Sequence, residues 1–114
     1  MKVGIVQQSN TNSTAKNIQK SLDGIAACKQ QGAELVVLQE LHCGIYFCQA
    51  EETELFNLAE PIPSETSALF AEAAKKHQVV LVTSLFEKRA PGLYHNTSVV
   101  FEKDGSVAGV YRKM

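Results

Sequence analysis

The sequence predicts an α/β fold: a mixed sheet carrying helices on one or both faces, its elements in the order β-α-β-loop-α-β-β-β. Three observations lead there. Short runs at residues 2–7, 35–39 and 79–83 are apolar on both faces, as strands inside a covered parallel sheet are. The stretches that precede the second and third runs carry apolar residues at helical spacing. The final part of the chain instead holds two strand-like runs around Lys103-Asp104-Gly105-Ser106, an Asp-Gly hairpin signal.

Taken in order, Lys2 to Gln7 reads as a buried first strand. Ser9-Asn10-Thr11-Asn12-Ser13-Thr14 is rich in side-chain oxygens that can accept from the orphan N–H groups of a helix start. Ala15, Ile18, Leu22, Ile25 and Ala26 then form an inner stripe, and Gly32 sits where a helix C-cap belongs. Leu35 to Gln39 is the second strand, completing a βαβ unit expected to be right-handed and parallel. Residues 41–63 form a long irregular connection with a few helical turns at most, ending in Pro61-Ile62-Pro63. Connections of that length inside a small domain are usually functional or disordered. Ser64 caps a second helix with Leu69, Phe70, Ala73 and Ala74 on its inner stripe. Val79 to Thr83 is a strand buried on both faces, Ala90-Pro91-Gly92 a turn, Asn96 to Phe101 a strand, and Val107 to Arg112 its return. No internal repeat, low-complexity tract or linker divides the chain.

Composition narrows the function. The 114 residues are at most one domain, and 45% hydrophobic with 20% charged residues is the balance of a soluble globular protein. A net charge of −1 with dispersed basic residues gives no general attraction to nucleic acid or anionic lipid, so neither is expected as a partner. The apolar run at the N-terminus is too short for a signal peptide, and no stretch approaches a membrane span, which points to the cytoplasm. Cys28, Cys43 and Cys48 are odd in number and are expected as reduced thiols.

Glu40 is the first candidate for chemistry. It closes the run Glu34-Leu35-Val36-Val37-Leu38-Gln39, and strict alternation puts it on the face of Val36 and Leu38. A carboxylate in a buried row is costly unless something needs it, and open α/β sheets bind ligands at the carboxyl ends of their strands. A glutamate at a strand end also reads as a solvated cap. Lys113, in phase with Tyr111, Gly109 and Val107, is the second candidate, and a strand-end lysine equally reads as a solvated charge.

Together with the text around them, the two are more specific. The strings KVGIVQQ, LVVLQELHCGIYFCQ and HNTSVVFEKDGSVAGVYRKM resemble the N-terminal portion of the nitrilase, or carbon–nitrogen hydrolase, superfamily. Glu-Leu-His-Cys-Gly-Ile-Tyr-Phe-Cys-Gln at residues 40–49 is similar to its N-carbamoylputrescine amidohydrolase branch, whereas the Asp-Gly hairpin is common across branches. The resemblance implies the N-terminal part of an α-β-β-α sandwich and an active site built on a Glu-Lys-Cys triad. Glu40 matches the family's general base and Lys113 its oxyanion-stabilising lysine, while the nucleophilic cysteine belongs to a later strand with no counterpart in these residues. Tyr46 matches a tyrosine that commonly borders the pocket. No metal or organic cofactor is implied, and family members generally assemble as homo-oligomers.

Other residues read more plainly. Cys43 and Cys48 fall outside the triad match, and Cys28 is a small residue near the inner helical stripe. His42 or His95 with Cys43 and Cys48 lacks the paired spacing of a metal site. Phe47 reads as packing, and Asn96 as a structural residue that bonds neighbouring backbone. The expected function is hydrolysis of a small carbamoyl or amide substrate, N-carbamoylputrescine first and another carbamoyl amine, ω-amide or nitrile otherwise. A reading of another class is a non-catalytic truncated protein or binding module, which only the length supports.

Overall fold

A computed structural model of the chain describes residues 1–43 and 59–113. The order is β1 (Val3–Val6), α1 (Thr14–Gln30), β2 (Leu35–Leu38), α2 (Glu65–His77), β3 (Val80–Ala90), β4 (Leu93–Phe101) and β5 (Val107–Arg112). The strands lie side by side in sequence order in one mixed sheet. β1 and β3 both run parallel to β2, and β3, β4 and β5 form an antiparallel meander. This is the expected α/β class with a mixed sheet, and its helices and sheet make two layers around one core. No described helix is long and apolar enough to cross a membrane.

The helix ends follow from local chemistry. The Ser13 side chain accepts from Lys16 N at the start of α1, and Gly32, at φ 90°, takes the left-handed position just past its end. Ser64 opens α2 through a reciprocal capping box with Ser67. Close helix–sheet approach needs glycine at two places: a Cβ on Gly4 would lie 2.6 Å from Cys28 Sγ, and one on Gly24 would lie 2.5 Å from Val6 Cγ1. The Asp-Gly hairpin forms as expected, with Gly105 at φ 87° and Ser106 N donating to Asp104 Oδ1 at 2.9 Å.

The core gathers Val6, Ile25, Val36, Leu38, Phe70, Ala73, Ala74, Leu81, Leu85, Val99 and Phe101 between the helices and one face of the sheet. Several expectations are corrected here. β1 is not buried on both faces: it is an edge strand among the described residues, and Ile5 on its far side is 76% exposed. β3 and β4 are longer than the sequence suggests, because residues 84–90 and 93–95 continue the ladder across the Pro91-Gly92 turn. Leu69 is 44% exposed, so the inner stripe of α2 is Phe70, Ala73 and Ala74 with Thr66 and Ser67. In α1, Asn17 and Ser21 are fully buried in line with Ile25, whereas Ala15 is exposed.

Candidate active site

The site is built at the carboxyl end of β2. The strand stops at Leu38, the chain turns through residues 40–43, and Leu41 adopts φ 50°, an uncommon left-handed conformation for a branched side chain. That turn is gripped from two sides. Its carbonyls at Leu41, His42 and Cys43 accept from the side-chain amides of Asn10 (3.5 Å), Gln8 (3.0 Å) and Asn17 (3.2 Å). From β3, Ser84 Oγ accepts from Leu41 N at 2.9 Å. Buried polar backbone would otherwise be costly to leave unpaired, and here amide side chains satisfy it.

Because the strand ends early, Glu40 escapes the alternation that would place it with Val36 and Leu38. It is not buried: its side chain is 44% exposed, and it meets groups on the side of the sheet turned away from the helices. Asn96 pairs with Phe86 in the ladder and alternates with the buried Thr97, which identifies that side. Lys113 follows the end of β5 and is held there by its N–H, which donates to Asn96 O at 2.9 Å. Its Nζ donates to Glu40 Oε1 at 2.9 Å, and Asn96 Nδ2 donates to the same oxygen at 2.5 Å. The Asn96 side chain therefore reaches a carboxylate and the Ser84 hydroxyl, a correction to its expected role of bonding neighbouring backbone.

The hydrogen bond from Lys113 holds the Glu40 carboxyl below its ordinary pKa, desolvation opposes it, and the Lys113 charge and the Asn96 bond add to the lowering. Glu40 is therefore ionised at neutral pH and able to accept a proton. Tyr46, Phe47 and Cys48 lie outside the described residues.

The remaining candidates separate by environment. His42 is fully buried, packs edge-on against Phe70 with ring centroids 4.8 Å apart, and has its pKa lowered to about 3 by burial. Cys43, whose Sγ lies 3.4 Å from His42 Nδ1, has its pKa raised to about 12 by burial and the Glu60 charge. A thiol so hard to ionise is a poor nucleophile. Cys28 is half-buried against the core. Among the described residues no three His, Cys, Asp or Glu side chains converge as a metal site would require.

Two clusters are not legible as such in the sequence. Gln8, Asn17, Ser21 and His42 form a polar network beneath the Glu40 turn, whose signal is a polar pair at positions 17 and 21 on the stripe that Ile25 continues. Glu87, 2% exposed, is bound by Arg112 Nε at 2.8 Å and Nη2 at 3.0 Å and accepts from Thr97 Oγ1 at 2.8 Å. Its signal is position: Glu87 continues the buried row of Leu81, Thr83 and Leu85.

The chain matches the family model for carbon-nitrogen hydrolases over residues 2–114. It is 34% identical to an N-carbamoylputrescine amidase of Solanum lycopersicum, the match covering 97% of this chain and 37% of that protein. It is 33% identical to a citrullinase of Francisella tularensis subsp. tularensis, covering 99% of this chain and 40% of the relative. A crystal structure of a carbon-nitrogen hydrolase from Helicobacter pylori G27 superposes with a TM-score of 0.92 at 49% identity, over 98% of this chain and 39% of that one. The chain thus spans 37% to 40% of the length of these relatives. The fold, the resemblance read in the sequence and a family match along nearly the whole length agree: the chain belongs to the carbon-nitrogen hydrolase family.

Proposed function

We propose that these residues are the N-terminal portion of a single carbon-nitrogen hydrolase domain whose complete polypeptide hydrolyses N-carbamoylputrescine to putrescine, CO2 and NH3, a step in making polyamines from arginine through agmatine. The observation that carries this reading is the 2.9 Å pairing of Glu40 with Lys113 at the carboxyl end of a parallel strand. The similarity to the Solanum lycopersicum N-carbamoylputrescine amidase supports the substrate.

In this reading a cysteine from outside the chain is the nucleophile. A ureido carbon is a poor electrophile, and a thiolate attacks it far better than a hydroxyl would. Glu40 takes the thiol proton, delivers it to the departing ammonia, and then activates the water that cleaves the thiocarbamate intermediate, freeing the thiol and a carbamate that breaks down to putrescine and CO2. Lys113 holds positive charge beside the developing oxyanion, a contribution of about 3–4 kcal/mol to the transition state by analogy with single oxyanion-hole donors. By the family resemblance Tyr46 is proposed as a substrate-binding residue, and the protein is proposed to work in the cytoplasm as a homo-oligomer, without metal or organic cofactor. A second reading keeps the chemistry and moves the ureido group onto an amino acid, which the similarity to a citrullinase favours.

The test is ammonia release by the complete polypeptide from N-carbamoylputrescine, citrulline, an ω-amide and a nitrile. N-carbamoylputrescine is expected to give the highest kcat/KM, Glu40→Gln to abolish turnover, and the 114 residues alone to show none. Full turnover by the Glu40→Gln variant would end this reading, and preference for citrulline would select the second.

A further inference from the structure

We infer that Ser84 and Asn96 are positioning residues that divide the two oxygens of the Glu40 carboxylate between tasks, holding Oε1 against the protein and leaving Oε2 for the proton that moves during the reaction. The inference rests on Glu40 acting as the general base.

The oxygens are not equivalent. Oε1 accepts from both Lys113 Nζ and Asn96 Nδ2. No described residue donates to Oε2. A third donor, whether thiol or water, finds the lone pairs of Oε1 occupied and, among the described residues, those of Oε2 open.

The arrangement depends on which way the Asn96 amide faces, since an amide turned over would present its oxygen to the carboxylate and repel it. Ser84 settles that. Its oxygen accepts from Leu41 N at 2.9 Å, and its single hydrogen is donated to Asn96 Oδ1 at 2.8 Å. The amide must then turn Nδ2 toward Glu40. Leu41 directly follows Glu40, so the network closes on itself: backbone N–H, serine hydroxyl, asparagine amide, carboxylate. Asn96 also fixes the backbone of Lys113 through its carbonyl, and so holds both members of the pair. Lys113 is the charged group facing Glu40 among the described residues, and Asn96 adds a neutral donor that keeps the carboxylate ionised.

The complete polypeptide carrying Ser84→Ala, Ser84→Thr, Asn96→Asp or Glu40→Gln tests this. The readouts are the pH profile of ammonia release from N-carbamoylputrescine and, without substrate, the pH dependence of iodoacetamide alkylation of the catalytic thiol. Ser84→Ala frees the Asn96 amide to turn over and forfeit its charge-assisted bond to Glu40, so kcat/KM is expected to fall about tenfold and the acid limb to move to higher pH. Ser84→Thr keeps the hydroxyl and recovers both. Asn96→Asp sets a second carboxylate against Oε1, so the pair shares a proton; a loss of about a hundredfold at neutral pH with a larger upward move of the acid limb is expected. Melting curves separate these effects from loss of folding. If Ser84→Ala and Asn96→Asp lower stability or rate while the acid limb stays in place and Glu40→Gln is inactive, the inference fails and the base assignment stands. If Glu40→Gln remains active, the base assignment itself fails.

Discussion

Arg112 grips Glu87 through two hydrogen bonds on the covered side of the sheet, one residue before Lys113 reaches Glu40 on the other side. The ion pair thereby anchors the end of β5 and sets the backbone position from which Lys113 extends. Glu87 is almost wholly buried, whereas the Arg112 side chain is 36% exposed. Removing the arginine strands a carboxylate away from water, while removing the acid leaves a guanidinium that solvent can satisfy. Arg112→Met is therefore expected to lower the melting temperature of the complete protein more than Glu87→Gln. The order of the two melting temperatures, read by circular dichroism, is the check.

Lys113→Ala should separate catalysis from stability. Because the hydrogen bond from Lys113 is the first cause of the lowered Glu40 pKa, the variant should move the acid limb of kcat/KM to higher pH. It should also reduce kcat by roughly 10²–10³, the cost of losing an oxyanion donor. The melting temperature should hardly change, since side chains 56% and 44% exposed make a pair worth about 1 kcal/mol or less. A large fall in melting temperature with an unmoved pH profile would contradict both halves.

His42 makes stability depend on pH. Its folded-state pKa, about 3, lies below the unfolded value, so the unfolded chain binds the extra proton first as the pH falls. The contribution is fully present above about pH 6.5 and is lost progressively as the pH drops toward 3, at no more than about 1.4 kcal/mol per pH unit. Urea melts of the complete protein between pH 7 and pH 5 should show falling stability, with a shallower slope in His42→Asn. Equal slopes would remove His42 as the cause.

Cys43 should behave as an inert thiol. With its pKa near 12, alkylation by iodoacetamide at pH 8 should be far slower than that of an unhindered thiol, and Cys43→Ala should keep kcat within about twofold. Rapid labelling located at Cys43 by peptide mapping would contradict its raised pKa.

Phe70 closes the core between α2 and the His42 turn. It is fully buried, and Phe70→Ala should cost about 3–5 kcal/mol in chemical denaturation through lost burial and the cavity left behind. A loss below about 1 kcal/mol would mean that the helical layer collapses to fill the space.

Much of the fold was open to reading because its signals are local. Periodicity and caps place the helices: Ser13 and Ser64 open them, and Gly32 follows the end of the first. The Asp104-Gly105 turn pairs the last two strands for a reason confined to a few residues. Glu40 and Lys113 stand out because each sits at a strand end next to a family-like string, and the fold brings them together.

What escaped such reading depends on partners far away in the chain. Alternation placed Glu40 in a buried row, but the turn held by Gln8, Asn10, Asn17 and Ser84 carries it to the open side of the sheet. Buried polar positions such as Asn17, Ser21 and Glu87 look like solvated ones until the hydrogen bonds that satisfy them exist. Periodicity and capping were determined by the sequence itself, because neighbours along the chain decide them. The direction of the Asn96 amide and the side on which Glu40 emerges were decided by tertiary structure alone, since a side chain's energy there depends on atoms that only folding brings within hydrogen-bond reach.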